Sequence, residues 1–422
     1  MNVLNEKGLE AILDPENLRA AYLKVKANKG AAGVDGIGVD QLEDHLRSHW
    51  ENISAKLREG RYEPGLLKPV HIPKAGGGER ELNIPTTQDR VIQQAIAQPL
   101  GEVFEPLFSE HSYGYRPGRS AHDAVRRMRH YVVEEGCRHI VDVDIQSFFD
   151  EVNHDILMQR ISDEVRHKPV LKLIGKYLRC GKLVNNRKVK HKGKGIPQGG
   201  PLSPLLANIY LTRMDRELEA KGVRFVRYAD DLTLYCQSKE EAEELLEWLT
   251  DWLWTKLKLQ VNRKKSGTRA PEEGNFLGFR LEKEEKIALS TKSLKAFKME
   301  VRRLLDNRNP WTWKQLVANW QRYLRGWWGY FGISEWYDAE RLSKWCRRHI
   351  RKLCWQRWHN WKGRRKALIR LGATPHQVKT AHSGKGAWRM AACPTLHKVL
   401  DNQRLLNWGF WTPSDLAAKA TA

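Results

Sequence analysis

Alternation of apolar and polar residues marks two candidate β-segments that end in carboxylates. Residues 139–144 alternate like a half-buried strand and then break into a compact aromatic turn at residues 145–150. Residues 223–226 and 232–236 are β-rich runs on either side of Arg227-Tyr228-Ala229-Asp230-Asp231, which predicts a hairpin with two carboxylates at its tip. Asp144 ends the first strand, so we expect it to lie on a strand end next to this hairpin.

Helical periodicity dominates the rest of the chain. Asp14 and Pro15 predict the start of a helix that Gly30 ends, and residues 62–100 predict a hairpin with a glycine-rich tip followed by a helix. Ser238 is placed to cap a long helix whose apolar face would cover the strands. From about residue 291 the pattern is almost entirely helical, with a loop near residues 372–375. The pattern predicts an α+β fold followed by a helical domain.

The three carboxylates Asp144, Asp230 and Asp231 suit a nucleotidyl-transfer site. Two Mg²⁺ ions, which Mn²⁺ can replace, require hard oxygen ligands that bridge an attacking hydroxyl and a triphosphate. Asp142 and Asp150 are weaker candidates, with helix capping or a surface ion pair as the alternative. An acidic, solvated turn is the simpler interpretation of the hairpin tip. The neighbouring segment at residues 195–208, a Gly/Pro-rich bend opening into an apolar helix, would allow backbone to approach a nucleotide closely.

Charge separates the chain into two parts. The formal net charge is +23, and residues 291–422 hold 27 Lys and Arg against 7 Asp and Glu, which leaves +3 for residues 1–290. So basic a segment predicts a polyanion bound over a long footprint, whereas a solvated charged surface is the alternative. Thirteen of the 17 tryptophans lie in the same segment. We expect most of them in helix cores and the rest to stack on bases.

The cysteines and the chain start exclude several classes of protein. Six cysteines without close pairs, and without His at ligand spacing, predict neither a zinc site nor a disulfide framework. No secretory or membrane-spanning run is present, so a cytoplasmic protein without a membrane partner is expected.

The order of these segments resembles the reverse transcriptases encoded by group II introns. A basic tail that resembles the thumb and maturase region of that family follows. It lacks the Cys/His cluster of a His-Asn-His nuclease. The resemblance is therefore to the shorter, endonuclease-lacking class similar to group IIC. Besides the segments above, the motifs that carry the resemblance are Gly33-Val34-Asp35-Gly36, Ile72-Pro73-Lys74, Asn83-Ile84-Pro85-Thr86, Tyr113-Gly114-Tyr115-Arg116-Pro117-Gly118-Arg119-Ser120 and Phe276-Leu277-Gly278-Phe279.

The resemblance implies a right-hand polymerase with fingers and palm around an antiparallel sheet, followed by an α-helical thumb/maturase domain. The implied domains are an N-terminal extension (1–61), fingers and palm (62–290), a helical thumb/maturase domain (291–390) and a tail that is a possible DNA-binding remnant (391–422). The implied metal ligands are Asp144, Ile145, Asp230 and Asp231. The implied nucleotide contacts are Lys68, Lys74, Arg80, Ser147, Phe148, Phe149 and Gln198, with Phe149 as the steric gate against a ribose 2′-hydroxyl and Phe148 open to a core role.

The RNA contacts follow partly from the resemblance and partly from charge. They are Arg116, Arg119, Arg347, Arg348, Arg351 and Lys352; for Arg116 and Arg119 a structural ion pair remains an equal alternative. The expected partners are an RNA template, a DNA or RNA primer, deoxynucleoside triphosphates and group II intron RNA, as a monomer or a homodimer. The expected function is RNA-directed DNA synthesis combined with assistance to intron splicing and retrohoming. The alternatives are a splicing-only maturase and a domesticated relative in DNA repair or phage defence.

Overall fold

The chain forms two compact units, Met1–Pro271 and Glu272–Ala422. A computed structural model describes residues 2–73, 78–282, 286–335, 339–381 and 386–420, without the side chain of residue 420. The helices of the first unit are α1 (Val3–Glu6), α2 (Leu9–Leu13), α3 (Pro15–Ala27), α4 (Leu42–Arg58), α5 (Thr87–Phe104), α6 (Ala121–Val133), α7 (Phe148–Glu151), α8 (His154–Glu164), α9 (Lys168–Leu178), α10 (Ser203–Ala220) and α11 (Lys239–Trp252). A π-helical turn, Leu253–Leu257, continues α11.

The strands of the first unit form one sheet and two hairpins. They are β1 (Lys68–Pro73), β2 (Glu79–Ile84), β3 (His139–Val143), β4 (Lys182–Val184), β5 (Arg187–Val189), β6 (Arg224–Tyr228), β7 (Asp231–Cys236) and β8 (Gly267–Arg269). The sheet has the order β6-β7-β3-β8 and is antiparallel throughout, while β1-β2 and β4-β5 are separate antiparallel hairpins. The strand and hairpin that the sequence predicts are thus neighbours in one sheet.

Helices cover this sheet and exclude water from one face. Ser238 accepts a hydrogen bond from the Glu241 amide and so caps α11, which packs against β3, β7 and β8. Helices α6 and α10 pack against β6. The strand residues Val141, Phe225 and Leu234 are fully buried in the resulting core. This apolar support holds the strand ends, where the carboxylates lie, in a defined arrangement.

The second unit is helical apart from the hairpin of β9 (Phe279–Leu281) and β10 (Ile287–Leu289). Its helices are α12 (Thr291–Leu304), α13 (Trp313–Phe331), α14 (Ala339–Arg357), α15 (Trp361–Arg370), α16 (Pro375–Ala381), α17 (Ala387–Met390), α18 (Pro394–Val399), α19 (Asn402–Asn407) and α20 (Pro413–Ala420). Trp320 and Phe410 are among its fully buried side chains, and the Trp320 indole donates to the Trp411 carbonyl at 2.9 Å. The segment that contains Phe410 therefore completes the core of this unit.

Two structural boundaries differ from the boundaries that the sequence predicts. The units divide between Pro271 and Glu272 rather than after residue 290, because β9 and β10 belong to the helical unit. Residues 391–420 are not a separate tail, since Leu396, Leu405 and Phe410 are buried in the core of that unit. All six cysteines are free thiols. Within the residues that the structure describes, no helix is long and apolar enough to cross a membrane.

Candidate active site

Asp230 and Asp231 lie at the tight turn between β6 and β7. Tyr228 pairs with Asp231 across the hairpin, so the turn itself consists of Ala229 and Asp230. Ala229 has a φ of 58°, a positive value that two-residue hairpin turns require at their first central residue and that non-glycine residues seldom adopt. The turn therefore places two consecutive carboxyl groups at one end of the sheet.

The register of β3 against β7 brings Asp144 to the same end. Val143 pairs with Leu232, the last pair of that ladder. Asp144 directly follows Val143 and Asp231 directly precedes Leu232, so the two carboxylates come from neighbouring strand ends, and the charge of Asp144 acts on Asp231. Three carboxylates from two sequence segments thus meet at one sheet end.

The backbone of Asp144 is held from both sides. Its amide donates to the Ser266 hydroxyl at 2.9 Å, and its carbonyl accepts from the Asn262 amide at 2.8 Å. The carboxylate itself extends toward solvent, where the Lys265 ammonium is 3.4 Å away. Because β3 and the segment that follows α11 fix the main chain, the Asp144 carboxylate has a defined position and still remains accessible.

Burial and neighbouring charge raise the pKa values of Asp230 and Asp231. Burial, followed by the charges of Asp230 and Asp144, raises the pKa of Asp231 to about 6, although part of its side chain reaches solvent. Burial also raises the pKa of Asp230; its own backbone amide and the nearby Arg80 oppose this effect, and Asp144 adds to it. Like charges held together without a counter-ion disfavour ionisation, so this arrangement favours a bound cation.

The donor set fits a metal that shares its coordination with substrate. Among the residues that the structure describes, no three His, Cys, Asp or Glu side chains are close enough to form a complete ligand set by themselves. Mg²⁺ is usually held by one or two carboxylates, with water and substrate phosphates as its other ligands. The Ile145 carbonyl suits the same role. Ile145 and Val261 form an isolated β-bridge, but its two backbone hydrogen bonds are made by Asp144 and Gln146, so the bridge does not use the Ile145 carbonyl.

A buried ion pair anchors the hairpin turn from below. Arg227 and Asp215 are both fully buried, and the guanidinium Nε donates to Asp215 Oδ1 at 2.7 Å. Arg227 Nη1 also donates to the Asn208 side-chain oxygen at 3.0 Å and to the Ala229 carbonyl at 2.8 Å. The last bond ties the guanidinium directly to the catalytic turn, so α10 sets where the turn lies.

Residues 111–115 approach the same turn so closely that only glycine fits at one position. The Tyr113 amide donates to the Arg227 carbonyl at 2.9 Å. A Cβ on Gly114 would lie 2.4 Å from the Ala229 amide nitrogen. The next residue, Tyr115, has a φ of 57°, and its ring centroid is 6.2 Å from that of Tyr228. The pKa of Tyr115 is raised by burial and by the charges around it, which include Asp230.

Several predicted nucleotide contacts surround a cavity beside α7. Ser147, in a left-handed conformation, and Phe149 line this cavity, which has a volume of about 460 Å³. Asp150 lies at the same cavity, where burial and neighbouring carboxylates raise its pKa. Phe148 does not reach the cavity: it is 2% exposed and packs near Tyr210, so the prediction that it contacts nucleotide is wrong and its core role holds.

The Gly/Pro-rich bend is joined to β2 by backbone. The Asn83 amide donates to the Gln198 carbonyl at 2.6 Å. Gly199 has a φ of 128°, and a Cβ there would meet the Asn83 carbonyl at 3.0 Å. Lys68 is exposed at the start of β1, and Arg80 on β2 is exposed and electrostatically close to Asp230 and Asp231. The predicted contact at Lys74 lies outside the described residues.

Arg116 and Arg119 serve as structural residues. Arg116 is buried, with Glu105 Oε1 2.8 Å from its Nη2 and the Ser112 carbonyl 2.8 Å from its Nη1. Arg119 forms an ion pair with Glu110 and lies 5.5 Å over the Tyr113 ring. Of the two interpretations left open by the sequence, the ion pair is present for both residues. The predicted RNA contact of Arg116 is wrong because its side chain is buried, whereas RNA contact by the partly exposed Arg119 stays a prediction. Asp142 is likewise paired, with Arg269 at 3.0 Å.

Of the four predicted RNA contacts on α14, two are buried and two are partly exposed. Arg347 is buried between Glu340 and Asp415, at 3.1 and 3.2 Å, and Arg351 is buried with its Nε 2.9 Å from the Leu400 carbonyl. The prediction that these two residues contact RNA directly is therefore wrong, because their guanidinium groups already donate to partners inside the unit. Arg348 lies over the Trp388 ring, and Lys352 lines an open cavity.

Comparison with known proteins gives the family. Residues 72–281 match the family model for reverse transcriptase (RNA-dependent DNA polymerase), and residues 294–372 match that for the group II intron, maturase-specific domain. Protein YkfC of Escherichia coli strain K12 is 30% identical over 313 residues, which are 65% of this chain and 82% of YkfC. The chain belongs to the group II intron reverse transcriptases.

Longer relatives share only part of their length with this reverse transcriptase. The group II intron-encoded protein LtrA of Lactococcus lactis subsp. cremoris is 29% identical over 335 residues, which are 64% of this chain and 55% of LtrA. A solved structure, the partial Cas6-RT-Cas1–Cas2 complex, is 25% identical, with a TM-score of 0.38 over 58% of this chain and 42% of that chain. The family match confirms the predicted α+β polymerase fold and the enzyme class, RNA-directed DNA polymerase, and implies dependence on a divalent metal.

Sequence patterns do not reveal the residues that support the reverse transcriptase site. Asp215 carried no signal, since a single acid in a helix of mixed charge is ordinary. Gly114 and Asn208 lay within quoted motifs, but their role depends on contacts with the Ala229 turn that spacing does not reveal. Lys265, in the basic run after residue 262, faces Asp144, and that contact appears only once the strands are paired.

Proposed function

We propose that this protein extends a primer 3′-hydroxyl with deoxynucleotides on an RNA template, at a site where Asp144 and Asp230 hold two Mg²⁺ ions. Asp231 and the Ile145 carbonyl complete the protein side of that site. The observation that carries the proposal is the register of β3 against β7, which brings Asp144 and Asp231 to neighbouring strand ends at one end of the sheet. The raised pKa values of Asp230 and Asp231 support a site built to receive cations.

The residues around the carboxylates bind and orient the substrate. Arg80, with Lys68, neutralises the triphosphate, because phosphoryl transfer depends chiefly on position and charge. Phe149 excludes a ribose 2′-hydroxyl, and Gln198 contacts the nucleotide near its sugar from the bend that Asn83 anchors. When bound, the Mg²⁺ pair lowers the pKa of the primer hydroxyl and neutralises charge on the leaving pyrophosphate. No side-chain base is required.

The test is primer extension by Asp230→Asn, a substitution that keeps the side-chain shape and removes the charge. Loss of several kcal/mol of charge stabilisation predicts that the rate falls by a factor of about 10³ or more. Asp251→Asn, an exposed carboxylate on α11, is the matched control and should extend the primer at the wild-type rate. If Asp230→Asn kept more than a few per cent of wild-type extension, the assignment of the metal site would be wrong.

We also propose that the second unit binds group II intron RNA and assists splicing and retrohoming. The maturase-specific match at residues 294–372 and the +20 net charge of residues 291–422 support an RNA partner. In a splicing assay with intron RNA, Asp230→Asn should retain activity, because the carboxylates belong to the other unit. Loss of splicing in this folded variant would contradict two separable activities.

The alternatives predict different combinations of these results. A splicing-only maturase would show no extension in the wild type, although the three carboxylates and Phe149 are all in place. A domesticated relative in repair or defence would extend primers without preference for intron RNA. Extension and intron binding, measured side by side on the wild-type protein and on Asp230→Asn, therefore distinguish the three functions.

A further inference from the structure

A second open cavity, of about 560 Å³, lies wholly within the helical unit. Its aromatic wall consists of Trp345 and His349 on α14 and Trp388 on α17. The basic side chains Arg302 and Lys352 also line it. Its size is within the roughly 300–1,000 Å³ that small-molecule pockets span. Nothing in the polymerase site uses these residues.

The aromatic wall is a packed array rather than three independent rings. The His349 ring centroid is 4.3 Å from that of Trp345 and 4.7 Å from that of Trp388. Burial, followed by the charges of Lys352, Arg302 and Arg348, lowers the pKa of His349 to about 4. At neutral pH the central ring is therefore uncharged, and the wall offers π-faces suited to stacking.

Trp388 is held in place from outside the cavity. Arg348 donates from Nε and Nη2 to the Trp388 carbonyl at 3.3 and 3.1 Å, and its guanidinium lies 4.1 Å from the ring centroid. The Trp388 side chain is nevertheless 37% exposed. An exposed indole with a fixed backbone and a fixed ring position is preorganised for a ligand, because little side-chain entropy remains to be lost on binding.

The cations at the rim differ in how far they are neutralised. Arg308 pairs with Asp306 at 2.7 Å, so its charge is compensated. Arg302 lies 5.5 Å from the Trp345 centroid, and neither Arg302 nor Lys352 forms an ion pair with any residue in the described part of the chain. Lys352 does act electrostatically on Asp306, which also lines the cavity. Two cations without an ion pair beside aromatic faces match the combination that binds single-stranded nucleic acid, with bases stacked and phosphates paired.

We propose that this cavity binds one unpaired RNA nucleotide, with its base stacked on Trp388 and Trp345 and its phosphates paired with Arg302 and Lys352. The proposal rests on the RNA-binding half of the proposed function and names the site that carries it. RNA is the polymer chosen, because seven of the eight residues that line the cavity fall within the maturase-specific match; the eighth, Trp388, completes the wall.

The first test measures stacking with the full-length protein. The probe is a short fluorescein-labelled oligoadenylate RNA, compared with an RNA of equal length whose bases are absent. Trp388→Ala should weaken binding of the normal RNA about 5- to 100-fold, the range for loss of one stacked base, and leave the abasic RNA unchanged. Trp388→Phe should recover most of the affinity. Trp254→Ala, which removes an exposed tryptophan of the first unit, is the matched control and should bind as wild type.

The second test separates specific phosphate contacts from bulk charge. Arg302→Gln/Lys352→Gln should lower the slope of log affinity against log salt by about 0.7 per contact, or about 1.4 in total. Arg365→Gln/Lys366→Gln removes one exposed arginine and one exposed lysine from the same unit and should leave the slope unchanged. Equal effects of the two double variants would overturn the proposal in favour of diffuse attraction.

Other outcomes distinguish this proposal from the broader one. If the wild type bound group II intron RNA but Trp388→Ala bound oligoadenylate as tightly as wild type, the nucleotide site would be refuted and the maturase function would stand. If the wild type bound oligoadenylate but showed no preference for intron RNA, the maturase function would fail alone. Equal affinity for oligodeoxyadenylate would refute the assignment to RNA. Circular dichroism spectra and melting curves of every variant should match those of the wild type, which controls for correct folding.

Discussion

The buried pair of Arg227 and Asp215 allows stability and activity to be changed independently. Asp215→Asn removes one charge and leaves the fully buried Arg227 guanidinium without its counter-ion, while its bond to the Ala229 carbonyl at 2.8 Å is kept. Breaking a buried ion pair in this way costs about 3–5 kcal/mol. We therefore expect a clear loss of stability with little change in primer extension at temperatures where the variant is folded.

The double variant Asp215→Leu/Arg227→Met should show the opposite behaviour. Replacing both charges with apolar side chains avoids the uncompensated charge, so stability should recover relative to the single variant. The Ala229 carbonyl, however, loses its donor, and the turn that carries Asp230 is no longer tied to α10. A misplacement of about 1 Å at a catalytic group can lower a rate about 10²-fold, and we expect a loss of this order in extension.

Calorimetry and single-nucleotide extension measure the two effects. For a unit of this size, 3–5 kcal/mol corresponds to a fall in Tm of roughly 6–15 °C in the transition of the first unit. Glu219→Gln, on the same helix, breaks an exposed pair with Arg216 and should cost less than about 1 kcal/mol. The reasoning is refuted if Asp215→Asn unfolds within about 2 °C of wild type, or if the stable double variant extends primers at the wild-type rate.

Three further predictions follow from single positions. Phe149→Val should raise ribonucleotide incorporation relative to deoxynucleotide by about tenfold or more in competition assays, since removal of the ring removes a clash; unchanged sugar discrimination would contradict the gate. Gly114→Ala should lower primer extension about 10²-fold, because its Cβ would lie 2.4 Å from the Ala229 nitrogen, whereas Gly267→Ala in β8 meets no atom within 4 Å and should be active. The pKa of His349 is lowered to about 4 against 6.5, so the unfolded chain binds the extra proton between these values and the stability of the second unit should decline as pH falls from about 6.5 to 4. A flatter pH profile in His349→Phe would support this, and an identical profile would contradict it.

Local patterns predicted the parts of this protein that depend on short stretches of sequence. The hairpin around Asp230 and the strand before Asp144 were recognisable because alternation and turn chemistry act over a few residues. The helix after Ser238 was recognisable from its cap and its apolar face. Pairing of β3 with β7 then follows from apolar faces that both require cover, and it brings the predicted carboxylates together.

Contacts between distant segments limited the prediction of the rest. Arg347 and Arg351 count as positive charge in the sequence, but their partners Asp415 and Leu400 lie 68 and 49 residues away, and only the folded helices bring them together. Gly114 and Ala229 are even farther apart in sequence, at 115 residues, and nearly touch in the structure. Charge counting therefore predicted which unit is basic without identifying which cations face outward.

The uneven distribution of tryptophan makes the two units optically distinct. Residues 1–271 contain Trp50, Trp248, Trp252 and Trp254, whereas the other 13 indoles belong to residues 272–422. Intrinsic emission from the whole chain is therefore expected to be weighted toward the helical unit, and a fluorescence-monitored denaturation curve should report mainly on that unit. A single extrinsic fluorophore attached near β7 would report unfolding of the first unit, while tryptophan emission would report unfolding of the helical unit in the same sample.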